Sequence, residues 1–134
     1  MRVLLDSHSM IWALDNPTKL TPSATAALQD PRNLLLVSAA SIWEIAIKFG
    51  KGRLPLSLPY RAWMDKAVAD LGLTILPITL DYAERQAGLP FHHRDPFDRL
   101  LAAQALVENC PLVSGDAIFD AYGVRRIWAG APVS

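Results

Sequence analysis

Short apolar runs alternate with amphipathic stretches along the whole chain, and that alternation predicts its elements. "RVLL" (2–5) stops at Asp6 and reads as a strand; "SHSMIWAL" (7–14) reads as a helix ended by Asn16-Pro17. "TPSATAALQD" predicts a helix with Thr21 as N-cap and Pro22 at its first position. "NLLLVS" (33–38) predicts a second strand, and "SAASIWEIAIKFGKG" (38–52) a helix closed by Gly50 and Gly52. Pro55 and Pro59 make "RLPLSLPY" an extended or turn connection, and Gly72 caps a helix over "RAWMDKAVADLG". "LTILPI" (73–78) is the next strand, followed by a helix from Thr79 through "TLDYAERQAGLP". After the charged stretch "FHHRDPFD", a long helix pattern begins at Asp95. "PLVSGD" then predicts a strand, "AIFDAYG" a short helix and "VRRIW" a final strand.

These strands are apolar on both faces and rarely alternate. Strands of that kind, separated by helices, predict a parallel sheet covered on both sides by helices, an α/β architecture. Ligands of such sheets bind beyond the carboxyl ends of the strands.

Composition narrows the classes. At 134 residues, with no repeat and no dividing linker, the chain is expected to form one domain over 1–134. An apolar content of 51% against 19% charged excludes disorder. The 13 basic and 13 acidic side chains cancel, so charge neither demands nor forbids a nucleic-acid partner. Cys110 stands alone, which excludes an internal disulfide and zinc clusters built on cysteine pairs. Asp6 interrupts the apolar N-terminus, and no run of about 18 apolar residues exists, so neither a signal peptide nor a membrane span is expected. A reducing cytoplasm is the expected compartment. Four tryptophans suit core packing or a partner interface.

Four acids are placed at one edge of the predicted sheet. Asp6 directly follows the first strand, Asp116 follows "PLVS" after one glycine, Glu44 lies in the helix after "NLLLV", and Asp98 lies in the first turn of the helix from Asp95. Each also has a structural reading. Asp95 before Pro96 suits an N-cap, with Asp98 completing a capping box. Glu44 suits a capping box with Ser41 or a pair with Lys48, and Asp116 suits a cap of the short helix. Gathered together, like charges are costly unless a cation joins them. Oxygen donors without cysteine, and without histidines at zinc spacing, favour a hard cation, Mg²⁺ or Mn²⁺. Phosphodiester hydrolysis uses what such an ion supplies, an activated water and a stabilised leaving oxygen. Ser7 is placed to orient a carboxylate, or to cap the following helix. Arg94, Arg99 and Lys48 suit contacts to a phosphate backbone, or ordinary ion pairs. His8, His92 and His93 suit structural or rim roles.

The segments "LLDSHSMIWAL", "VSAASIWEIAIKFGKGRL", "LPFHHRDPFDRLLAAQAL" and "LVSGDAIFDAYGVRRIW" resemble, in order over nearly the whole chain, a PIN-domain ribonuclease of the group of VapC-type toxins. The resemblance implies a three-layer α/β/α sandwich and an Mg²⁺- or Mn²⁺-dependent endoribonuclease. It assigns Asp6, Glu44, Asp98 and Asp116 to the metal, and leaves Asp95 as a cap and supporting group. Ser7 stands where this group more often has threonine, with the hydroxyl retained. Also implied are a homodimer, a cognate antitoxin that covers the acidic cleft, and tRNA or rRNA as substrate. Two rivals remain at this level: a non-catalytic interaction module, and another metal-dependent phosphohydrolase. A phosphatase with Asp6 as nucleophile would want a second aspartate where His8 stands.

Overall fold

The computed structural model describes residues 1–128, so the last six positions of the expected domain lie outside the described residues. The strands are β1 (Arg2–Leu5), β2 (Leu34–Ser38), β3 (Thr74–Leu76), β4 (Leu112–Val113) and β5 (Arg126–Ile127). All pair in parallel, in the order β3-β2-β1-β4-β5. The helices are α1 (Ser7–Asp15), α2 (Pro22–Gln29), α3 (Ala39–Gly50), α4 (Tyr60–Leu71), α5 (Leu80–Ala87) and α6 (Pro96–Glu108). Single 3₁₀ segments occupy Pro17–Lys19 and Ala117–Tyr122.

Alternate residues of the central strands feed two separate cores, which accounts for their unbroken apolar sequence. Val3, Leu5, Leu35 and Val37 pack with Met10, Ile45 and the fully buried Trp63. On the opposite face, Leu4, Leu36 and Leu112 pack with Leu101, Ala102 and Phe119. The result is the three-layer arrangement that strands apolar on both faces require.

Departures from expectation are local. Pro77 supplies no backbone donor, and β3 ends just before it. As an edge strand, β3 leaves Ile75 46% exposed despite its apolar sequence. The final strand shortens to Arg126–Ile127, and "AIFDAYG" winds as a 3₁₀ helix rather than an α-helix.

The order of the strands sets where a site forms. From β1 the chain builds outward through β2 to β3, then crosses back to place β4 on the other side of β1. Connections leaving β1 and β4 therefore diverge and open a crevice at their carboxyl ends. Asp6 and Asp116 follow those two strands.

Candidate active site

Each acid reaches the crevice through its own local device. Asp6 is the N-cap of α1, accepting from Ser9 N at 2.8 Å, while its own N–H is held by Val113 O across to β4. Asp95 caps α6, accepting from Phe97 N at 2.9 Å, with Pro96 at the first helical position. That start places Asp98 on the first turn. Asp116 caps the 3₁₀ segment through Ile118 N at 3.0 Å. Glu44 projects from the second turn of α3, whose N-cap is Ser38 rather than Ser41.

Asp6, Ser7, Glu44, Lys48, Asp95, Asp98 and Asp116 line one pocket of ≈ 60 Å³. That is room enough for water, or for a small ion in its place. Glu44 is 6% exposed, and both its oxygens are engaged. Ser7 Oγ donates to Oε1 at 2.5 Å, and Lys48 Nζ lies 3.0 Å from Oε2. The i,i+4 pair with Lys48 is one of the two arrangements the spacing allowed. Ser7 is the first residue of α1, because Asp6 takes the capping position.

Burial in the pocket disfavours the charged forms of two of its acids. Burial pushes the Asp6 carboxyl above its ordinary range, against hydrogen bonds from Ser114 and Ser9. Burial likewise raises Asp98 from 3.8 to about 6, helped by the charges of Asp95 and Glu44 and opposed by His93.

His93 was expected in a structural or rim role, and its Nε2 lies 2.9 Å from Asp98 Oδ2. His93, Asp98 and Asp116 present potential ligand atoms within 4.8 Å of one another. His93 Nδ1 accepts from Arg94 N at 3.1 Å, which leaves Nε2 as the protonated nitrogen. In this arrangement the ring donates to Asp98 and is not itself free to ligate. Its main-chain N–H is held by Tyr122 Oη at 2.9 Å. Proximity to Asp98, five positions on, was the available signal. The loop that closes the distance was not predictable from spacing.

Arg99 corrects its expected role. It is 5% exposed, and its guanidinium donates to the carbonyls of Pro90 at 2.8 Å, Gln86 at 3.0 Å and Leu89 at 3.2 Å. Phe91 lies 4.1 Å beneath it. With both terminal nitrogens committed to these carbonyls and to Tyr122 Oη, and the side chain buried, Arg99 is not presented to a phosphate strand and instead shapes the loop that carries His93. Arg94 is exposed and lines a neighbouring cleft with Phe91, outside the acidic pocket.

A family model described as PIN domain matches residues 3–124. Ribonuclease VapC22 of Mycobacterium tuberculosis is 31% identical over 115 residues, spanning 85% of this chain and 86% of that protein. Ribonuclease VapC16 of the same organism is 38% identical over 69 residues, 48% of each chain. The crystal structure of VapBC2 from Rickettsia felis bound to a DNA fragment from their promoter superposes with a TM-score of 0.73. That match covers 96% of this chain and 100% of that one at 16% identity, a likeness of fold.

Proposed function

The chain belongs to the PIN-domain family, and from that premise we propose that it is an endoribonuclease acting as the toxin of a toxin–antitoxin pair. The observation that carries this reading is the gathering of Asp6, Glu44, Asp98 and Asp116 around one pocket at the carboxyl edge of the sheet. Two relatives named as ribonucleases support the activity, and the likeness to VapBC2 supports an antitoxin partner.

The donor set fits a divalent cation. Its atoms are hard carboxylate oxygens, the pocket is of ionic size, and two acids are held above their ordinary pKa by burial. Asp6, Glu44 and Asp98 would hold the ion, with Asp116 binding directly or through water. When bound, Mg²⁺ or Mn²⁺ supplies activation of water and neutralisation of charge at the scissile phosphate.

The protein's own groups prepare that chemistry. Ser7 fixes one oxygen of Glu44, and Lys48 balances the other. His93 orients one oxygen of Asp98 and leaves the other without a bond to the ring. Asp95 holds the helix start that aims Asp98. Lys48, half exposed at the rim, suits a phosphate of a strand crossing the site, and Arg94, exposed in the neighbouring cleft and next to His93 in sequence, suits a phosphate further along it. The reading extends to tRNA or rRNA as substrate, a cytoplasmic setting and a homodimer. Trp43 supports a protein interface, being 61% exposed and packed edge-on against Phe97. Among the described residues no helix is long and apolar enough to cross a membrane.

The test is cleavage of total cellular RNA by chelator-stripped protein, with and without added Mg²⁺ or Mn²⁺, beside Asp98→Asn. Metal-dependent fragments from the wild type alone are expected. Absence of both cleavage and metal-induced thermal stabilisation would return the chain to the interaction-module reading.

A further inference from the structure

Beside the acidic pocket lies a second, wider cleft of ≈ 460 Å³, lined by Asp6, His8, Trp12, Gly115, Asp116 and Trp128. Asp6, His8 and Asp116 line both cavities, so the two adjoin. Its wall is aromatic. His8 and Trp12 have ring centroids 5.6 Å apart, Trp12 and Trp128 5.9 Å, with tilts of 39° and 43°. His8 is exposed, and both indoles are half-buried. Lys19 Nζ lies 5.6 Å from the Trp12 ring centre, adding a cation at the outer end.

The cleft depends on a particular glycine. A Cβ at Gly115 would lie 3.0 Å from Trp128 Cε2, a tight contact that any larger residue relieves only by shifting the indole, so glycine suits the close packing of Trp128 on this turn. That packing brings Trp128 from the end of β5 to the edge of the site. A lone exposed tryptophan would mean little. Here three rings and a lysine form a continuous ledge that starts at the catalytic acids.

We propose that this cleft is a base-binding subsite, in which an unpaired base next to the scissile phosphate of the RNA stacks on His8, Trp12 and Trp128. The inference rests on the ribonuclease reading of the acidic pocket. Its reasons are adjacency and chemistry. A strand whose phosphate sits at Asp6 and Asp116 must place its neighbouring base within a nucleotide's reach, and the surface there is aromatic. Stacking is open to every base, because each has a π-face. The ring centroids are too close for a base to slide between them, which takes about 7 Å, twice the 3.4 Å step of stacked bases. The base therefore lies on the ledge. An unpaired nucleotide can do this and a duplex cannot, so the subsite selects single-stranded loops.

The test uses Asp98→Asn protein, to prevent cleavage, and a fluorescent single-stranded RNA ten-mer of mixed sequence read by anisotropy. In that background Trp12→Ala, Trp128→Ala and His8→Ala are compared, with Trp12→Phe and Trp128→Phe as rescues. Each tryptophan-to-alanine change is expected to weaken binding roughly 5- to 100-fold, with phenylalanine recovering most of it. Mn²⁺ affinity of the same variants in the Asp98 background of the wild type should stay unchanged. His8→Ala, at an exposed position, guards against a folding defect in the indole variants. Folded variants with unaltered RNA affinity would overturn the inference. So would variants that keep RNA and lose the antitoxin, since the cleft would then be a protein interface. Wild-type protein that neither binds nor cuts RNA would instead undo the ribonuclease reading itself.

Discussion

Ser7 and Glu44 meet at 2.5 Å across the joint between α1 and α3, and the hydroxyl is the donor. Neither group is free to turn: Ser7 is 8% exposed and Glu44 6%. Ser7→Ala should cost about 10- to 100-fold in Mn²⁺ affinity and cleavage rate. Ser7→Thr, keeping the hydroxyl, should cost little. Calorimetric Mn²⁺ titration of both variants checks this, and an alanine variant with wild-type affinity would remove Ser7 from the site.

Asp98 carries a pH signature. Its folded pKa of about 6 lies above the ordinary 3.8. Folding therefore favours the protonated form. The associated stability is present below about pH 4 and is lost as pH rises through 6. Metal-free Asp98→Asn should accordingly melt higher than metal-free wild type near pH 7.5, by about 1–2 kcal/mol, and match it near pH 4. Added Mn²⁺ should reverse the order at neutral pH, because only the carboxylate gains from the ion. Cleavage by Asp98→Asn and Asp6→Asn should be nearly abolished. Melting curves across pH, with and without Mn²⁺, decide the matter.

Asp95 separates capping from charge. Asp95→Asn keeps an acceptor for Phe97 N and should change stability little, whereas Asp95→Ala should cost about 0.5–2 kcal/mol. Because the Asp95 charge helps raise Asp98, the asparagine variant should also move the pH midpoint of Mn²⁺ binding downward. A fall in activity as deep as that of Asp98→Asn would make Asp95 a ligand.

Arg94 and Arg99 should part company. Arg99→Met strands the carbonyls of Gln86, Leu89 and Pro90 and should cost about 2–4 kcal/mol of stability. Arg94→Ala, on the surface, should leave melting nearly unchanged. It should weaken RNA binding at every sequence and lower the salt slope of log K by about 0.7. Identical salt slopes in wild type and Arg94→Ala would take Arg94 off the RNA path.

The parts of the site that follow strand ends were legible because a parallel sheet delivers its loops to one edge. Asp6 and Asp116 needed only that rule. Glu44 stood out as an acid amid apolar neighbours, and its pair with Lys48 follows from helical spacing. His93 and Arg99 were read less well for a single reason. Both depend on the path of the loop between α5 and α6, which Arg99 and Tyr122 hold through main-chain groups. Hydrophobic period carries no trace of such contacts. An arginine whose partners are carbonyls about ten residues back looks, in sequence, like any surface cation. The same blindness covers β3, whose apolar run gives no sign that it lies at the edge.

The order β3-β2-β1-β4-β5 also ties the pocket to the pairing of segments distant in sequence. Asp6 follows β1 and Asp116 follows β4, strands far apart in sequence that lie side by side in the sheet. A growing chain still emerging from the ribosome holds the acids in separate, unassembled pieces. No local fluctuation of a lone segment can create the pocket, whereas separation of β4 from β1 dismantles it. Catalytic competence should thus track cooperative closure of the sheet, and amide-exchange protection at Leu4 and Leu112 would report it as directly as a cleavage assay.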